Sequence, residues 1–322
     1  MGGILVAVSR ETLLEVAKEA QFQPNITEKV IHLFAFLNEM NEHPDLTGKL
    51  ALKGGTALNL FVFAAPRLSI DIDLNYIGTA KNEALKKERE AIKAAVIAVC
   101  RKLGLNCQVG SDAHAGMKFT ATYRSALGNN DQIQIDLNFM YRLPLWPVRA
   151  MTSRAIGTYS AKNVLVLDES ELFAGKLRAL VARSRSRDLF DSVNLFSQVA
   201  DPAKLRLAFH IYGAMNAKDW RTVGSGDISF NEKELKEQLL PVLKISAHSA
   251  DVATWAQDLV DKCLKGLSDY FPLTAAETEF VAQVRDKGQI RPELITADKQ
   301  LSEIIAAHPS LLWRCSKAGQ ED

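Results

Sequence analysis

The chain is 322 residues long with a mass of 35.5 kDa, enough at roughly 100–200 residues per domain for two domains, which excludes a single small module. Hydrophobic residues make up 47% and charged residues 24%, a soluble, core-forming balance that excludes global disorder. Against 39 basic side chains stand 38 acidic ones, a net charge of +1, so a nucleic-acid partner would be met by a local patch and not by overall charge.

The amino-terminal apolar run, Ile4 to Val8, has no positive charge before it and is too short for a signal peptide. No stretch approaches the roughly 18–20 apolar residues that span a bilayer. Cys100, Cys107, Cys263 and Cys315 show no C-x-x-C spacing, which fits a reducing compartment and predicts a soluble, cytoplasmic protein with no membrane partner. Apolar positions three and four apart predict helices over Thr12 to Ala20 and Glu28 to Met40.

From Gly54 the texture changes. A glycine pair leads into a short apolar helix, Thr56 to Ala65, ended by Pro66. Then Leu68, Ile70, Ile72, Leu74 and Tyr76 alternate with Ser69, Asp71, Asp73 and Asn75, the signature of a strand with one polar face. A helix is expected from Asn82, as its N-cap, to Gly104. Weaker strands at Leu105 to Val109 and Lys118 to Tyr123 lead through Gly128-Asn129-Asn130-Asp131 into a second alternating run. There Ile133, Ile135, Leu137 and Phe139 share one face, and Gln132, Gln134, Asp136 and Asn138 the other. After a short strand at Val164 to Leu167 the pattern is helical nearly to the end, with breaks near Pro202, Gly224 to Gly226, Pro241, Pro272 and Pro292. The pattern predicts an α+β fold: a mixed-sheet part with amino-terminal helices over 1–167 and an all-helical part over 168–322. Between Arg142 and Arg221, 13 Lys and Arg outnumber 7 Asp and Glu, so the basic charge is concentrated mid-chain.

Alternate residues on a strand lie about 7 Å apart and point the same way, so the carboxylates of Asp71 and Asp73 reach one small volume. Two such anions repel unless a cation sits between them. Mg2+ (or Mn2+) is the natural filler, bound by one or two carboxylates plus substrate phosphates. Asp136, on a second strand, supplies the third carboxylate that a pair of ions would need. Gly54 and Gly55 allow close backbone approach to a phosphate, and the helix that follows turns its free N–H groups toward it. The competing reading is a wet strand face with no metal, and it weighs most for Asp136.

The segment K-G-G-T-A-L-N-L-F…R-L-S-I-D-I-D-L, Lys53 to Leu74, resembles the first motif of the nucleotidyltransferase AbiEii/AbiGii toxin family, a branch of the DNA polymerase beta-like nucleotidyltransferases. E-S-E-L-F-A-G-K-L-R-A-L-V-A-R-S-R-S-R-D-L-F-D, Glu169 to Asp191, resembles its second motif, and Thr274 to Ile295 is similar to a carboxy-terminal signature. The resemblance implies that Asp71 and Asp73 hold Mg2+, and that Gly54, Gly55, Thr56 and Ser69 contact the NTP. It also implies that Lys176 and Asp188 complete the active site, with Asp136 where the superfamily places its third strand carboxylate. It implies a toxin of a type IV toxin–antitoxin or phage abortive-infection pair, with a cognate antitoxin encoded nearby. The implied acceptor is the 3′ end of tRNA, whose modification blocks translation.

The residues of the second motif fit that reading. Asp168 with Glu171 spells a capping box, and Lys176 and Arg183 fall on one helix stripe. Lys suits a triphosphate as a point charge and Arg suits bidentate phosphate contacts. Asp188 and Asp191 share a face of the next helix. Arg183, Arg185 and Arg187 are the best candidates for an RNA backbone, though such a run also reads as a solvated linker. The six histidines show no zinc-ligand spacing. Two other readings stay open: transfer to a small molecule such as an aminoglycoside antibiotic or to a protein side chain, and a non-catalytic nucleotide-binding partner protein.

Overall fold

The structure, a computed structural model, describes residues 8–80, 82–224, 226, 228–247 and 251–319. The run from Ile4 to Ala7, the side chain of Asn82 expected as a cap, Ser225 in the glycine break and His248 lie outside these. The chain divides into two compact units: Met1–Arg142 with Val148–Leu167 and Leu240–His248, and Leu143–Pro147 with Asp168–Leu239 and Ser249–Asp322.

The first unit opens with α1 (Arg10–Ala20), capped by the Ser9 hydroxyl, which accepts from Thr12 N, and closed by Gln21 in a left-handed conformation. Pro24 starts α2 (Pro24–Glu42) at the one place where a missing N–H costs nothing. Strand β1 (Leu50–Lys53) runs into α3 (Gly54–Ala57), which continues as the π-helical turn Leu58–Val62. Then come β2 (Asp71–Tyr76), α4 (Asn82–Lys102), β3 (Asn106–Ala113), β4 (Gly116–Arg124), β5 (Asn130–Asn138), β6 (Arg149–Met151) and β7 (Val164–Val166).

The strands form one mixed seven-stranded sheet in the order β3-β4-β5-β2-β1-β7-β6. Strand β2 lies at its centre, antiparallel to β1 and parallel to β5. Alternation places Ile72, Leu74, Phe119, Ile133, Ile135 and Leu137 on the buried face, with Val30, Phe34, Ile92 and Val96 of the helices also buried in this unit. The other face carries the polar set. Strand β2 begins at Asp71, three residues later than the alternation suggests. Upstream, Arg67 pairs across an antiparallel bridge with Leu243, and Leu68 N donates to Val242 O at 2.8 Å. These two residues are therefore held by a segment remote in sequence and not by the sheet.

The second unit is helical: α5 (Glu169–Arg183), α6 (Ser186–Phe196), α7 (Pro202–Ala214), α8 (Glu232–Glu234), α9 (Val252–Leu267), α10 (Ala275–Arg285), α11 (Lys299–Ala307) and α12 (Pro309–Cys315). Asp168, Asp201, Asp251 and Asp298 cap four of them through their carboxylates. The break expected near Pro202 is the connection between α6 and α7, and Pro202 itself is the first residue of α7. Phe209 and Trp220, 5.1 Å apart edge to face, anchor this core.

Candidate active site

Lys53 is the last residue of β1, and its register partner is Asp73 on β2. The chain then turns sharply at Gly54, whose φ of +69° only glycine adopts without strain. Space excludes a side chain there as well, because a Cβ on Gly54 would lie 2.2 Å from Asp73 Oδ2. The diglycine turn and the second carboxylate are thus in contact. A Cβ on Gly55 would meet Arg67 Nη2 at 2.9 Å and Ser69 Oγ at 3.0 Å. One side of the turn is lined by Asp73, the other by Arg67 and Ser69.

Asp71 and Asp73 are both half-buried and occupy one face of β2. On the neighbouring parallel strand Asp136 is the direct register partner of Asp73, about 4.8 Å away in the strand-to-strand direction. The alternation rule thus brings three carboxylates to one face. Asp136 is partly diverted: its Oδ2 lies 3.1 Å from Lys118 Nζ, a pair open to solvent and correspondingly weak.

Among the described residues no group of three or more His, Cys, Asp or Glu side chains forms a ready-made metal cage. The donor set still fits a hard divalent ion of the kind held by one or two carboxylates and completed by phosphate oxygens. Two hard-oxygen donors share a face here, beside a backbone cradle that a single Cβ would fill.

Thr56 is fully buried, and its hydroxyl donates to the main-chain carbonyl of Asp71. The side chain ties helix to strand, so only its backbone remains for a ligand. Ser69 is 5% exposed, set against Gly55. Arg67, 2% exposed, was not singled out by the sequence pattern, although it falls in the same alternation phase as Ser69, Asp71 and Asp73.

In the helical unit Lys176 sits between two acids, with Nζ 2.8 Å from Asp188 Oδ1 and 2.9 Å from Asp191 Oδ2. Arg183 Nε donates to Asp188 Oδ2 at 2.7 Å. Lys176, Asp188 and Asp191 are buried, whereas the Arg183 side chain is 59% exposed. Burial pushes the Asp188 carboxyl up, but the charges of Lys176 and Arg183 outweigh it and hold the group below the usual carboxylate range. The shared stripe of Lys176 and Arg183 is real, and both converge on Asp188. Asp191 is a second partner that the spacing of the two aspartates hinted at without assigning.

The capping box at the start of α5 is only half made. Asp168 accepts from Ser170 N at 3.0 Å, but Glu171 does not reach back. It turns inward instead, accepting from Tyr212 Oη at 2.6 Å and Trp146 N at 3.1 Å. Its burial is complete enough to lift its pKa to about 7, against the lowering effect of those two bonds.

A family model described as nucleotidyl transferase AbiEii toxin, type IV toxin–antitoxin system, matches residues 35–282. Comparison with curated proteins finds no match. Among solved structures, the chain is similar to MenT4, a nucleotidyltransferase toxin from Mycobacterium tuberculosis H37Rv. The identity is 17% and the TM-score 0.61, over 91% of this chain and 99% of that one. It is also similar to JHP933 from Helicobacter pylori at 16% identity and TM-score 0.47, over 77% of this chain and 94% of that one. At such identities the likeness to the mycobacterial structure is one of fold, and that fold is the mixed sheet with helices described above.

Proposed function

The chain belongs to the nucleotidyl transferase AbiEii toxin family of type IV toxin–antitoxin systems, and from that premise we propose that it transfers NMP from an NTP to RNA, at the 3′ end of tRNA, in the cytoplasm, so blocking translation. It is a nucleotidyltransferase, and its family implies an antitoxin partner. Under this reading that antitoxin is encoded next to it. The observation that carries the reading is the contact of the diglycine turn with Asp73, on the face that Asp71 and Asp136 share.

Asp71 and Asp73, with Asp136 alongside, would hold Mg2+ or Mn2+, which when bound neutralises the triphosphate and favours ionisation of the acceptor hydroxyl. The backbone N–H groups of Gly54, Gly55 and Thr56 and the hydroxyl of Ser69 bind phosphate oxygens. The acceptor hydroxyl gives up its proton to solvent, its oxygen forms its bond to the α-phosphorus as the α–β bridging bond breaks, and pyrophosphate departs in line. Lys176, oriented by Asp188 and Asp191, stabilises charge on the phosphates, and Arg183 adds a forked donor. Residues 1–167 thus serve the nucleotide and 168–322 complete the machinery, with Arg185 and Arg187 offered to the RNA backbone.

The test incubates the full chain with each labelled NTP and, in turn, total RNA, a protein extract and an aminoglycoside. Label is expected in RNA and absent with Asp73→Asn, a change that keeps size and removes charge. Label in the drug or the protein pool would move the acceptor to that class. Undiminished transfer by Asp73→Asn would reject the site.

A further inference from the structure

Arg67 is an unusual residue to find at 2% exposure. Burying a guanidinium costs free energy unless its donors are used. Nη1 donates to Leu68 O at 2.9 Å, one of the contacts that fix the side chain against the backbone. That backbone is pinned in turn by the bridge to Leu243 and the bond from Leu68 N to Val242 O. Val242 and Leu243 are themselves buried, so the clamp is shielded from water. The guanidinium is thereby held 2.9 Å from the point where a Cβ of Gly55 would stand, with Ser69 Oγ 3.0 Å from the same point.

Resting on the function proposed above, we infer that Arg67 is a positioning residue for the triphosphate, a fixed cation behind the diglycine turn that acts through the turn and through Ser69 without touching the substrate. The face in front of the turn carries Asp71, Asp73 and Asp136, all anionic, while the ligand that must settle there is a polyanion. A buried charge is screened far less than a surface one, so a guanidinium a few ångströms behind the backbone still lowers the potential energy of phosphate in front of it. Its planar fork sets it in one place, which a flexible lysine head does not do as well. Gly55 is glycine because the guanidinium occupies the space of its side chain. The segment that returns at Val242 and Leu243 sets where Arg67 stands.

The experiment measures binding of the α,β-methylene analogue of each of the four common NTPs, with Mg2+, to the full chain. It compares wild type, Arg67→Met, Arg67→Lys and Gly55→Ala, with transfer rates at saturating NTP and melting temperatures alongside. Arg67→Met should weaken the analogue roughly tenfold and leave the salt dependence of binding close to that of wild type, because salt screens a buried charge little. Arg67→Lys should recover most of that affinity, with the saturated rate within about threefold of wild type.

Gly55→Ala covers the case in which Arg67→Met does not fold. Gly55 has no left-handed φ, so alanine is tolerated by the backbone and displaces only side chains, the guanidinium first. It too should weaken the analogue, and the double variant Arg67→Met with Gly55→Ala should be no weaker than Arg67→Met alone. Wild-type affinity in Arg67→Met or in Gly55→Ala would overturn the inference. So would equal losses in Arg67→Lys and Arg67→Met that merely track a fall in melting temperature. A wild-type chain that binds none of the four analogues would instead reject the nucleotidyltransferase reading on which Arg67's role stands.

Discussion

Lys176 shows how one side chain can carry structure and chemistry together. With Asp188 and Asp191 both within 3 Å and out of solvent, it is the counter-ion that makes two buried carboxylates tolerable. Lys176→Met leaves them facing each other, and the expected loss is on the order of 3–5 kcal/mol, read as a fall in the denaturation midpoint. Lys176→Met combined with Asp188→Asn and Asp191→Asn should regain much of that stability but none of the transfer activity. If the triple variant regained transfer, Lys176 would be a structural ion partner only. The spacing of Lys176 and Arg183 along the chain was legible as a shared stripe. That both converge on the Asp188 carboxylate was not, because it depends on the angle between α5 and α6.

Among elements, the joint from β1 through the diglycine turn to α3 matters most. Gly54→Ala forces a left-handed φ on alanine, a cost of roughly 1–2 kcal/mol, and drives its methyl into Asp73. Transfer should fall much further than stability, measured as initial rate against melting temperature. The alternation over Ile72 to Tyr76 and Ile133 to Leu137 made β2 and β5 readable, and with them the common face of Asp71, Asp73 and Asp136. Strand β1 escaped because Leu50, Ala51 and Leu52 are all buried, and a short continuous apolar run has no period to read. The limits of β2 were misplaced for a different reason: Arg67 and Leu68 alternate correctly yet find their partners in Val242 and Leu243. Local pattern cannot announce a partner so remote in sequence.

For the whole molecule, buried titratable groups set how stability varies with pH. Burial lowers His32 and His210 from 6.5 to about 4, so both are neutral in the fold. Their contribution is present above pH 6.5 and is lost as the pH falls through about 4, on the order of 3 kcal/mol each. Glu171 has the opposite sign. With its folded pKa raised from 4.5 to about 7, its contribution is full below pH 4.5 and is lost as the pH rises through 7. Glu171→Gln, whose amide can still pair with Tyr212 and Trp146, should therefore stabilise the chain at pH 8 and leave it nearly unchanged at pH 4.5. Urea midpoints across that range check both signs; no gain at pH 8 would show that burial does not raise the Glu171 pKa in the fold.

The return of Leu240–His248 to the first unit reaches beyond the folded state. Val242 and Leu243 are far from Arg67 in the order of synthesis, so the ribosome must build most of the polypeptide before that clamp can close. A chain cut short before Val242 therefore lacks the contacts that hold Arg67 and Leu68 upstream of β2. A fragment ending at Leu167 should accordingly lack cooperative unfolding, however complete its list of aspartates.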